Sequence, residues 1–123
     1  MKKNEFDNSP QLVNDEGGNV LISFDIEEVE KEFPAVDGGE PVKRKVYEAN
    51  TVRVQKPVER SKVIDAIVSA EYPIDRMQAV QNNYLATPKD AERKAEMDTM
   101  QAWRTHAKEV ATQVMAIVQP TGE

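Results

Sequence analysis

The stretch Asn19-Val20-Leu21-Ile22-Ser23-Phe24-Asp25-Ile26-Glu27 places Val20, Ile22, Phe24 and Ile26 on one parity and Ser23, Asp25 and Glu27 on the other. A two-residue period is how a half-buried strand distributes its side chains. Val29 and Phe33 extend the segment, and Asp37-Gly38-Gly39 then supplies the positive-φ residues of a tight reversal. Val42, Val46, Val52 and Val54 again share a parity, with Asn50 standing as a second turn or bulge. The expectation is an antiparallel meander of two to three strands over residues 19–56.

Working outward toward the C-terminus, the period changes. Val63, Ile64, Ile67 and Val68 recur at helical spacing, predicting an amphipathic helix over 58–72, with Pro57 in its first turn. Tyr72-Pro73 ends it. Asp75 and Gln78 resemble a capping box for a second helix carrying Met77, Val80, Tyr84 and Leu85. Thr87-Pro88-Lys89-Asp90 reads as the start of a long third helix, with Thr87 as N-cap and Pro88 as first helical residue. Its apolar seam is Met100, Trp103, Ala107, Val110, Val114 and Ile117, and Pro120 and Gly122 stop it. A helix from 88 to 118 would be about 46 Å long, more than two short helices cover, so either its first turns project or another chain covers part of the seam.

Toward the N-terminus, residues 1–18 mix polar and acidic groups with Phe6, Leu12 and Val13 and end in Gly17-Gly18; they are expected to form a flexible arm. The net charge of −6 is concentrated at this end: residues 1–40 hold three basic and eleven acidic side chains, a balance of −8, while the remainder stands at +2. Such acidity argues against bulk electrostatic binding to nucleic acid or to an anionic membrane. The most basic cluster, Lys43-Arg44-Lys45, falls opposite Glu30 and Glu32 if the hairpin turns near Gly38, which reads as a charge-matched ribbon. Met1-Lys2-Lys3 is followed by Asn4, Glu5 and Asp7 rather than an apolar run, so no secretory signal is expected, and no segment has the length of a membrane span. The protein is expected in the cytoplasm or in a particle assembled there.

Chemistry is sparsely provided for. The chain has no cysteine and one histidine, which excludes disulfides, thiol catalysis and multi-histidine metal sites. His106, with Glu109 three residues on, is half of a bridged di-metal pattern that has no second half; it reads as a boundary residue. Glu92 and Glu96 share a helix face with Lys89, Arg93 and Lys94, the pattern of solvated ion pairs. None of the four serines lies in a G-x-S-x-G turn, and phosphate- and dinucleotide-binding glycine motifs are absent. No catalytic residue, cofactor, metal or small-molecule substrate is expected.

The run from Arg60 to Ala111 resembles small accessory proteins encoded among tail or structural genes of bacteriophages and prophages. The residues carrying the likeness are Arg60 to Ile67, Tyr72 with Asp75, Ala79 to Leu85 ending in Asn82-Asn83-Tyr84-Leu85, Gln101-Ala102-Trp103-Arg104, and Ala107 to Ala111. The resemblance implies a structural or assembly role without catalysis. It covers less than half of the chain and matches no functional residue.

These readings converge on an α+β protein: flexible arm 1–18, then one domain over 19–123 with a β region (19–56) and a three-helix region (57–119), acting as a noncatalytic binding or assembly module. Its expected partner is a protein, either a second copy or a phage structural protein. Candidate partner-binding residues are Trp103, Arg104, Val110, Val114, Ile117, Glu28 and Glu30, with self-association through the Val110–Val118 seam. The rival reading is an acidic inhibitor imitating nucleic acid, presenting Asp25, Glu27, Glu28, Glu30 and Glu32 to a basic enzyme.

Overall fold

A computed structural model describes residues 1–35 and 37–118; the expected helix stops Pro120 and Gly122 lie outside them. The architecture is α+β. Strands β1 (Asn4–Phe6), β2 (Val13–Asp15), β3 (Asn19–Phe33) and β4 (Val42–Gln55) precede helices α1 (Arg60–Glu71), α2 (Ile74–Ala86) and α3 (Ala91–Val118). The sheet is antiparallel in the order β1-β4-β3-β2. Four strands are present where two or three were expected, and the extra pair comes from the segment expected as a flexible arm. Three-residue edge strands carry no readable period; their backbone groups are satisfied by neighbours distant in sequence. Asn4–Phe6 pair with Tyr47–Ala49, and Val13–Asp15 with Val20–Ile22. The turn between β2 and β3 uses Gly17 at φ 94°, with Glu16 N–H donating to Asn19 O.

One face of the sheet's base carries the core. Val20, Ile22 and Phe24 of β3 and Val52 and Val54 of β4 pack on Val63, Ile67 and Val68 of α1 and on Ala107, Val110, Ala111 and Val114 of α3. A second cluster joins Tyr72, Val80 and Met100, with Met77 and Met97 beside it, and so docks α2 on the N-terminal half of α3. Trp103 touches both clusters and donates its indole N–H to Ile67 O at 3.0 Å. The long seam is therefore covered within the chain as far as Val114, the sheet and α1 taking Ala107 to Val114 and α2 the part before it, while Ile117 stays exposed.

Helix boundaries differ from the expectation where polar residues compete for the cap. At α3 the first turn is capped by Asp90, whose Oδ1 accepts from the N–H groups of Glu92 and Arg93. Thr87 closes α2 instead, its hydroxyl and N–H both donating to Asn83 O. Pro57 precedes α1 by three residues, and Pro73 rather than Asp75 occupies the N-cap of α2.

The irregularity expected at Asn50 lies across from it, in β3. Phe24 pairs with Asn50 and Glu27 with Glu48, so Asp25 and Ile26 together oppose Ala49. This is a β-bulge, and Asp25 takes the left-handed conformation (φ 54°) that glycine commonly supplies at such a point. The extra residue reverses the parity of the strand. Val20, Ile22 and Phe24 are buried before it, whereas Val29, Lys31 and Phe33 are the more sheltered positions after it.

Candidate functional site

Two regions carry chemistry beyond core packing: the bulge, and the ribbon that continues past it. At the bulge, both carboxylate oxygens of Asp25 are engaged. Oδ1 lies 2.7 Å from His106 Nε2 on α3, and Oδ2 accepts from Asn50 Nδ2 at 3.2 Å. Lys3 Nζ donates to the Asp25 carbonyl at 3.2 Å. The His106 ring packs against Trp103 and Phe24, with centroid separations of 5.8 and 6.1 Å, and its Nδ1 stands 3.8 Å from Glu109 Oε2. A cleft of about 280 Å³ borders the group, lined by Ser23, Asp25, Ile26, His106, Glu109 and Gln113 among others.

A carboxylate holding an imidazole is the orienting half of a nucleophile-activating arrangement. The sole hydroxyl residue lining the cleft is Ser23, which is 1% exposed, and its Oγ has no hydrogen-bond partner. The pair's clear effect is mechanical: it fastens a strained point of the sheet to the middle of the longest helix. Nothing in the sequence signals it, because Asp25 and His106 are 81 residues apart and an unbroken apolar alternation through Ile26 hides the bulge. Among the described residues no group of three or more His, Asp or Glu side chains is placed to hold a metal ion.

Beyond the bulge, β3 and β4 form a two-stranded ribbon whose register sets Glu30 opposite Lys45, Lys31 opposite Arg44 and Glu32 opposite Lys43. The expected juxtaposition of the basic cluster with Glu30 and Glu32 is thus the observed one. On one face Lys31 Nζ bridges Glu5 (2.5 Å) and Glu48 (3.1 Å) across three strands, and Lys3 meets Glu27 at 3.0 Å. The two carboxylates hold the Lys31 ammonium above its usual range. On that same face Arg44 reaches Asp7 at 3.5 Å and stacks 4.4 Å from the centre of the Phe33 ring, and on the other face Lys45 lies 3.9 Å from Glu28.

The proposed partner-binding residues divide sharply. Val110 and Val114 are 3% and 0% exposed, so the seam on which self-association was expected is interior up to Val114. Trp103 is half-buried and hydrogen-bonded within the core, and Arg104 is also half-buried. Ile117 (60% exposed), Glu28 and Glu30 are on the surface. The five acids of the inhibitor reading do not share a face, since alternation along β3 sets Glu27 on the side opposite Glu28, Glu30 and Glu32, and Asp25 is committed to His106. Glu96 is paired with Arg93 at 2.9 Å, as the solvated-face reading expects.

No protein-family model, curated protein or solved structure matches this chain. No helix among the described residues is long and apolar enough to cross a membrane.

Proposed function

We propose that this protein is a noncatalytic binding or assembly module that works among phage or prophage structural or tail proteins, in the cytoplasm or in a particle assembled there. The observation that supports this reading best is the ribbon. Glu27–Phe33 and Val42–Glu48 extend beyond the bulge for about 24 Å at the rise of an antiparallel strand, and none of their residues joins the clusters that pack on the helices. Among the described residues their outward backbone groups are left unpaired except where β1 covers Tyr47–Ala49. Open strand edges are suited to contact with another chain.

The inhibitor reading draws less support, because nucleic-acid mimicry asks for an unbroken acidic face and these acids alternate with cations. It predicts salt-sensitive binding to a basic enzyme. The assembly reading is tested by inducing the prophage or infecting the native host, then sedimenting particles and their precursors through a density gradient. The chain should co-sediment with them, and its deletion should leave particles defective. A chain that stays at the top of the gradient, with normal particles formed in its absence, defeats the proposal.

A further inference from the structure

The two open edges of the ribbon carry opposite charge. Residues 27–33 of β3 hold four glutamates and one lysine, whereas residues 42–46 of β4 hold Lys43, Arg44 and Lys45 and no acid. Among the described residues, Glu30, Glu32 and Lys43 take part in no ion pair, and Val42 is 59% exposed beside them. Resting on the assembly reading, we propose that the ribbon is a self-association arm: the acidic β3 edge of one copy adds to the basic β4 edge of a second, extending the sheet from chain to chain.

Charge complementarity selects the occupant. Pairing like edges would set Lys43, Arg44 and Lys45 against themselves, or Glu28, Glu30 and Glu32 against themselves, and like charges directly opposite are destabilising. Only the unlike edges attract. Width selects the orientation. Strands about 4.8 Å apart make the ribbon about 10 Å wide but the sheet about 14 Å wide both where β2 covers Val20–Ile22 and where β1 covers Tyr47–Ala49, so copies cannot stack side by side with their bodies level. The bodies therefore lie at opposite ends, which makes β3 of one copy parallel to β4 of the next. Pro34 and Pro41, lacking N–H donors, bracket the tip and limit the ladder to the charged stretch.

Because the attraction is between exposed charges, it weakens as the screening length falls from about 14 Å near 50 mM salt to about 3 Å at 1 M. The test is sedimentation velocity on the wild-type chain over a concentration series at both salts. The average mass should rise above that of the monomer with concentration at low salt and return to it at high salt. A chain that stays monomeric at low salt, or an association that salt does not weaken, overturns the proposal. Lys43→Glu with Lys45→Glu makes both edges acidic, and Glu30→Lys with Glu32→Lys makes both basic. Each double variant should be monomeric alone and the two should associate when mixed. Association by either alone at wild-type strength, or none on mixing folded variants, also overturns it. Each variant creates repulsive rungs within its own ribbon, so helical circular dichroism, which arises in the other half of the chain, checks folding; should either misfold, the wild-type salt series decides. A monomeric chain that still co-sediments with particles would remove the edge pairing and leave the assembly role standing.

Discussion

At Asp25 an ordinary residue occupies a backbone conformation that glycine accepts without a Cβ clash, and three side chains from separate parts of the chain hold it there. Left-handed geometry costs an L-residue about 1–2 kcal/mol, and hydrogen bonds to a charged group return about 1.5–3 kcal/mol each when well shielded. Asp25 is partly exposed, so the return is at the low end. Asp25→Gly loses the bonds but relieves the strain; Asp25→Ala loses the bonds and keeps it. Urea titration should therefore find Asp25→Ala less stable than Asp25→Gly by about 1 kcal/mol. Equal stability, or the reverse order, would mean that the backbone there is not strained. None of this was legible in the sequence, since alternation through Ile26 reads the same with or without a bulge.

Among the elements, the helices were the most readable part of the chain and their ends the least. The 3.6-residue period located α1, α2 and α3 because each buries one stripe. The start of α3 was misplaced because Thr87-Pro88 and Asp90 compete for one cap, and local sequence does not say which carbonyls Asn83 leaves open. Asp90→Ala should cost about 1 kcal/mol of stability by removing two bonds to exposed N–H groups. Thr87→Ala should cost less than half as much in the same denaturation measurement, and a larger loss at Thr87 would restore it as the cap. Strands β1 and β2 were missed for a different reason: at three residues they are specified by their partners. Lys56 holds Asp15, at the end of β2, through a 2.7 Å bond that, with the Gly17 N–H, lowers the Asp15 carboxyl below its ordinary range. A lowered folded-state value means that this contact stabilises above the ordinary carboxylate range, near pH 4, and is lost as the pH falls through the folded value. Lys56→Ala should lower the neutral plateau slightly while leaving the acid end unchanged, so that the acid limb of a stability–pH curve flattens; an unchanged acid limb would show that the contact is not formed in solution.

For the molecule as a whole, the composition pointed to sparse chemistry and the charge arithmetic to an acidic first third, but neither could say which surfaces remain available. The seam of α3 was the natural candidate for a partner because its length exceeded what two helices could cover. The sheet covers the seam on through Val114, a long-range contact that periodicity does not encode. Val114→Glu should consequently unfold the protein, since it buries a charge without a partner. Val114→Ala should cost about 2 kcal/mol through lost packing. A Val114→Glu chain with a normal melting curve would return the seam to the surface and reopen self-association through it.

The bulge also separates two sets of constraints along a single pair of strands. Up to Phe24 the choice of residue on β3 is dictated by the helices packed against it; past Glu27 no residue of either strand joins the cluster on the helices, and β3 changes parity while β4 keeps one and still buries Val46. The ribbon's charges can therefore be rewritten, lengthened or inverted while the core keeps its sequence. A family of such chains could hold one body constant and change its contacts as one changes the bit of a key.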